Sequence, residues 1–210
     1  MNVQLLLVAK EPVPGRVKTR LCPPCTPHQA AAIARAALND TLETLSRVPA
    51  VRRTLVLHGR YAPPVGWDVV PQRGDGLGQR LANAFADTAL PGVASLLVGM
   101  DTPQVDEALI GQALDGLADA VLGPAEDGGW WVLALREPRH AAVLAGVPMS
   151  TSDTGALTAA ALRRRGLTVG AAPVLRDVDT AVDAWAVADA HPDGRFAAAV
   201  RRHVPESIRR

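Results

Sequence analysis

The chain has 210 residues, 48% of them hydrophobic and 20% charged, an ordinary balance for a globular protein. A net charge of +1 gives no general attraction to nucleic acid or to an anionic membrane surface, so any anion site must be local. Aromatic residues make up only 3%, so the core must be aliphatic and alanine-rich.

Strand-like apolar runs alternate with helical patterns, which predicts an α/β layered fold with a mainly parallel sheet. The length predicts a single domain over 1–210, with its core at about 3–190 and a C-terminal helix and tail over 191–210. Val3–Ala9 is near-continuously apolar, as expected of a strand covered on both faces. It is too short for a signal peptide or a membrane span, so the chain is expected in the cytoplasm with its two cysteines reduced.

The segment VAKEPVPGRVKTRLCPPC, Val8–Cys25, follows at once and holds both lysines of a chain with 22 basic residues. A lysine is a compact point charge that can sit on one phosphate or carboxylate oxygen, where arginine is a planar fork. Lys10, Arg16, Lys18 and Arg20 oppose Glu11 alone over residues 10–20. Pro12 and Pro14 stiffen the approach and Gly15 opens a turn, so these cations, with Thr19, could converge on a polyphosphate. The loop is not a Walker motif, because Val17 stands where a glycine must precede the lysine. Cys22-Pro-Pro-Cys25 lacks the further ligands of a structural zinc site, and the cationic loop separates it from the strand that a redox motif would follow.

The first helix should be capped by Thr26, with Pro27 in its first turn and Gln29 completing a capping box. Strands are expected at Thr54–His58, Asp68–Pro71, Ala94–Gly99, Ala120–Gly123, Trp130–Leu135 and Leu167–Ala171. Helices are expected at Leu77–Ala89, Gln104–Leu117, Thr151–Arg165 and Ala181–Ala190. In open α/β sheets, ligands sit beyond the carboxyl ends of the strands. The segments leaving those ends are polar, acidic or glycine-rich, and they would line one rim. After the third strand, GDGLGQR lacks dinucleotide-fingerprint spacing, yet Gly76 and Gly78 could let backbone approach a base closely, with Arg80 beside them. Asp101 follows the fourth strand, and Thr102-Pro103 then starts a helix. Asp177 and Asp179 precede the last capping box, in which Asp183 pairs with Thr180. Asp101 with Asp179 is a reasonable Mg²⁺ pair, since this ion prefers one or two carboxylates plus substrate phosphates. In PAEDGGWW, strand alternation must send Trp130 and Trp131 to opposite faces.

Together AKEPVPGRVKTRL, GDGLGQRLANAF, LVGMDTPQV, GPAEDGGWWVLAL and RDVDTAVD resemble, in order and spacing, a bacterial family of uncharacterised GT-A-like proteins described as glycosyltransferases or nucleotidyltransferases. KTRL with a later DVDT is more distantly similar to phospholactate guanylyltransferase and to the molybdenum cofactor guanylyltransferase. The resemblance covers about residues 3–190. It implies a GT-A, nucleotide-diphospho-sugar transferase-like fold, a three-layer α/β/α sandwich with a mixed, mainly parallel sheet. It also implies Lys10, Gly15, Lys18 and Arg20 at phosphates, Gly76 and Gly78 near a base, and Asp101 and Asp179 on the metal. Two departures fall in the acceptor half, where Trp130-Trp131 replaces a tyrosine pair and Met149-Ser150 replaces Trp-Ser.

The expected activity is Mg²⁺-dependent nucleotidyl transfer from a nucleoside triphosphate to a small phosphorylated or carboxylate acceptor. Lys10, Lys18 and Asp101 would carry the chemistry, and Asp127, Gly128, Gly129 and Trp130 would face the acceptor. Glycosyl transfer from a nucleotide-sugar and non-catalytic nucleotide binding are the alternatives. Nucleic acid and membrane are not expected as partners.

Overall fold

The computed structural model describes residues 2–209. Seven strands form one sheet: β1 Val3–Lys10, β2 Arg52–His58, β3 Asp68–Pro71, β4 Ala94–Gly99, β5 Ala120–Pro124, β6 Trp130–Leu135 and β7 Val169–Ala171. Their spatial order is β3-β2-β1-β4-β6-β5-β7. β1, β2, β3 and β4 run parallel, β6 is antiparallel to both β4 and β5, and β7 is parallel to β5. The sheet is therefore mixed and mainly parallel, as the alternating pattern predicts. β1 lies near the centre, with β2 on one side and β4 on the other. Leu5, Leu6 and Leu7 are all fully buried because helices cover both faces there.

Six α-helices accompany the sheet: α1 Pro27–Arg47, α2 Gly76–Thr88, α3 Glu107–Asp115, α4 Thr154–Arg164, α5 Ala181–Ala190 and α6 Arg195–His203. α1 starts at the expected capping box: the Thr26 hydroxyl accepts from the Gln29 amide, and the Gln29 side chain accepts from the Thr26 amide. α5 starts the same way with Thr180 and Asp183. One face of the sheet packs Leu5, Leu7, Leu55 and Leu96 against α1 and α3. The other packs Leu6, Val56 and Leu97 against Leu81 and Phe85 of α2, with Leu162 of α4 in the same cluster. A third cluster joins the outer side of α1, at Ile33 and Ala37, to Trp185 of α5 and Phe196 and Val200 of α6.

Two helix starts come later than expected, and one helical segment is unexpected. The chain stays irregular from Gln104 to Asp106 before α3, because Asp106 rather than Thr102 caps it, accepting from the Leu109 amide at 2.8 Å. The segment 149–153 is irregular before α4, and Pro138–Gly146 forms an unexpected 3-10 helix packed on α2. No helix among the described residues is long and apolar enough to cross a membrane.

Candidate functional site

β1 and β4 are neighbours at which the strand order reverses, β1 leading to β2 on one side and β4 to β5 on the other, the place where α/β sheets hold ligands in a crevice beyond the carboxyl ends of their strands. The loop after β1 is tethered there by Glu11, whose amide donates to the His58 carbonyl and whose carboxylate accepts from the Arg60 amide, each at 2.8 Å. Gly59, at φ +104, leaves that carboxylate its space, since a Cβ would come within 2.6 Å of it. Val17 is buried, Lys18 adopts a left-handed conformation at φ 47, and a 3-10 turn at Thr19–Leu21 drives Leu21 into the core. This geometry points the Lys18 side chain inward.

The Lys18 ammonium lies 2.5 Å from an Asp101 carboxylate oxygen and 3.9 Å from one of Asp179, and it donates to the Val178 carbonyl. Arg20 pairs with the other Asp179 oxygen at 2.6 Å. The backbones meet as well: the Val178 amide donates to the Asp101 carbonyl at 2.9 Å, and the Gln104 side chain donates to the Arg176 carbonyl at 2.6 Å. Two carboxylates 78 positions apart are thus held on one ammonium.

Asp177 joins them. Burial, then the nearby Asp101 and Asp127 carboxylates, pushes its carboxyl up to about 7, against a smaller pull from Lys18. Asp101, Asp177 and Asp179 thus crowd around one ammonium, with Arg20 on the outer oxygen of Asp179. The site's donors are carboxylate oxygens, the hard ligands that magnesium and manganese take, so a divalent cation suits this set. Among the described residues, no group of three or more His, Cys, Asp or Glu is preassembled around a metal position. A two-carboxylate site completed by water and phosphate remains consistent with that.

These groups line a cavity of about 620 Å³. Lys10, Arg16, Lys18, Thr19 and Arg20 reach it from the first loop, and Asp101, Asp127, Gly129, Trp130 and Asp179 reach it from the later ones. Trp131 is the core member of the tryptophan pair, 1% exposed and donating to the Pro173 carbonyl, so Trp130 faces the cavity.

Five expected residues do not line the cavity. Gly15 serves the loop turn at φ +77. Gly76 opens α2 at φ +80, and Gly78 lies against the Leu144 carbonyl, only 2.4 Å from where a Cβ would stand. Gly76 thus lets α2 start, and Gly78 lets it pack against the 3-10 helix. Arg80 turns to the Gly74 carbonyl at 3.2 Å. Gly128 seats the 149–154 segment, and a Cβ there would collide with the Ser152 carbonyl at 1.9 Å.

The sequence reading also left lining residues unassigned. Gln72, immediately after β3, donates to the Ala9 and Val56 carbonyls and could have been found by the strand-end rule. Thr151 and Ser152 were hidden because the segment reads as the start of a helix, whereas Ser150 entered the acceptor half through the resemblance alone. Cys22 and Cys25 are free thiols, and burial with the neighbouring Cys22 pushes the Cys25 thiol up, away from a reactive thiolate.

Three comparisons with known proteins bear on this arrangement. A search of curated proteins finds no match. Among solved structures, the "putative nucleotide-diphospho-sugar transferase" of Desulfovibrio desulfuricans G20 superposes with a TM-score of 0.84 at 27% identity, over 96% of this chain and 98% of that one. CMP:2-keto-3-deoxy-manno-octonic acid synthetase, complexed with CTP, gives 0.57 at 11% identity over 91% and 99%. Rv0371c of Mycobacterium tuberculosis H37Rv, in complex with manganese, gives 0.56 at 20% identity over 90% and 98%. The fold is the nucleotide-diphospho-sugar transferase type that the motifs implied. Residues 31–151 match the family described as "Uncharacterized protein conserved in bacteria (DUF2064)", more than half of the chain, and this protein belongs to that bacterial family.

Proposed function

We propose that this protein is a divalent-metal-dependent transferase acting on a nucleotide substrate, and that its reaction is nucleotidyl transfer. The observation that carries the reading is the meeting of Lys18, Asp101 and Asp179 at the crevice, with Lys10 and Arg16 on the same cavity. The fold neighbours that act on nucleotides support it.

In the proposed step an acceptor oxygen forms a bond to the α-phosphorus, the bridging bond from the α-phosphorus to the β-phosphate oxygen breaks, and pyrophosphate leaves; where the acceptor is a hydroxyl, its proton passes to solvent water. Such reactions depend on positioning and on neutralising spread charge. Lys10 and Arg16 form no ion pair with the protein's own carboxylates among the described residues, so their charge is free for the leaving phosphates. Lys18 holds Asp101 and Asp179 in place. Those two acids, with Asp177 beside them, would hold Mg²⁺, which supplies further charge neutralisation at the phosphates when bound.

One observation favours a second reading, glycosyl transfer from a nucleotide-sugar. Lys18 and Arg20 are already paired with Asp101 and Asp179, leaving fewer cations than a triphosphate could use. The products separate the two. A panel of nucleoside triphosphates and nucleotide-sugars, screened by thermal shift with and without Mg²⁺, is followed by product analysis with candidate acceptors. Pyrophosphate release is the expected result and nucleoside diphosphate release establishes the second reading. Binding with neither product leaves a non-catalytic nucleotide-binding module.

A further inference from the structure

The cavity is divided by charge. All the cations among its described lining residues come from residues 10–20. The opposite half, built from the start of β6 and the segment before α4, presents Trp130, Met149, Ser150, Thr151 and Ser152, with Asp127 at its edge. No Lys, Arg or His among the described lining residues belongs to that half. Apolar side chains complete the lining: Leu77 of α2, 43% exposed and one residue before Gly78, which Met149 packs against, and the buried Leu97 of β4.

We infer that this half takes a neutral alcohol with an apolar face, and not a phosphorylated or carboxylated compound. An anion there would lie on an indole and a thioether beside Asp127, losing hydration with no cation in that half to offset the loss. A neutral alcohol meets complementary groups instead. Its apolar face covers Trp130 and Met149, and its hydroxyls reach the serine and threonine hydroxyls, which both donate and accept.

The hydroxyl-bearing segment is built to stay in place. Ser150 holds φ 59, a left-handed conformation that is strained for a non-glycine residue and persists only where its surroundings impose it. Those surroundings are visible: the Gly155 amide donates to the Gly128 carbonyl at 2.8 Å, the Thr154 hydroxyl donates to the Pro148 carbonyl at 3.0 Å, and Gly128 admits the Ser152 carbonyl where no side chain fits. Groups fixed before the ligand arrives need little ordering when it binds. This inference rests on the proposed function, which gives the cationic half to the nucleotide. It departs from the phosphorylated or carboxylate acceptor that the sequence led us to expect.

Matched pairs test it: glucose with glucose 6-phosphate, and 2-phenylethanol with 2-phenylethyl phosphate. Each is followed by saturation-transfer NMR on the full chain, with and without inorganic tripolyphosphate to fill the cationic half. At least one neutral member should bind, keep its signal in tripolyphosphate, and bind about tenfold more weakly to Trp130→Ala, as expected for the loss of a large apolar contact. Both phosphate esters should be displaced by tripolyphosphate. Met149→Lys, which adds a cation to the neutral half, should let a phosphate ester stay bound, and it serves if Trp130→Ala does not fold. A phosphate ester that stays on the wild-type protein through tripolyphosphate and depends on Trp130 overturns the inference, as does the absence of binding by both neutral members at 20-fold above the protein concentration and upward to about 50 mM, where even very weak ligands are detected. Failure of tripolyphosphate itself to bind counts against the nucleotide reading alone.

Discussion

A lysine whose side chain is only 7% exposed must find its partners inside the protein, and Lys18 finds Asp101, Asp179 and the Val178 carbonyl. The carboxylates are 51% and 35% exposed, so water can solvate them if the ammonium is removed. Lys18→Met should therefore remain folded, with its denaturation midpoint near that of the wild type. Its kcat/KM should fall by roughly 10²–10³, the usual loss when one preorganised charge disappears from a reacting centre. Activity within twofold of wild type would remove Lys18 from the mechanism. Asp177 makes a separate prediction through pH. Its folded carboxyl is pushed up to about 7, while in the unfolded chain it takes the ordinary carboxylate value. Between those values the folded state binds the extra proton, so this group's contribution to stability is present at low pH and is lost as pH rises towards 7. In metal-free buffer, Asp177→Asn should flatten that decline and be more stable than wild type at pH 8. Urea midpoints from pH 4 to 8 for the two proteins check the difference.

At the scale of elements, two glycines with the same backbone requirement should behave differently. Gly76 at φ +80 has open space where a Cβ would go, and Gly128 at φ +89 has the Ser152 backbone there. Gly76→Ala should cost only the left-handed strain, about 1–2 kcal/mol. Gly128→Ala carries that strain and also pushes the 149–154 segment off its seat, so it should cost more than about 3 kcal/mol and weaken acceptor binding. Equal unfolding midpoints for the two variants would show that the segment is not wedged against Gly128. The helix starts were readable because a capping box is a local chemical pattern: Thr26 with Gln29 and Thr180 with Asp183 need only three residues' separation. The start of α3 was misplaced because Thr102-Pro103 also has the look of a cap. There the chain is diverted instead, with Gln104 reaching across to the Arg176 carbonyl.

For the whole molecule, the sheet brings together loops that are far apart in sequence, and ligand binding should report on that assembly. A nucleotide present at a hundred times its dissociation constant should add about 2.7 kcal/mol. In a chain of this size that is a rise in Tm of roughly 5–10 °C. The rise should be larger with Mg²⁺ than without and should shrink in Asp101→Ala. Equal shifts with and without the ion would argue against a metal between Asp101 and Asp179. The layer of α5 and α6 on α1 belongs to this scale too, because it anchors the chain that follows the 176–180 segment and so holds Asp179 at the crevice.

The class of fold, the central apolar strand, the two capping boxes and the polar character of the segments leaving the strand ends are all legible in one dimension. Each is a local or periodic property, set by backbone geometry and by the removal of apolar side chains from water. Tertiary structure alone decided which of those polar residues meet. Lys18 reaches Asp101 and Asp179 because β1 and β4 are neighbours in the sheet, and Gly78 lies outside the cavity lining, where a 3-10 helix packs against it. The division of the cavity into a cationic half and a neutral one was equally invisible in one dimension. It depends on which face of β6 carries Trp130 and on a strained turn at Ser150, and both are fixed by packing between segments distant along the chain.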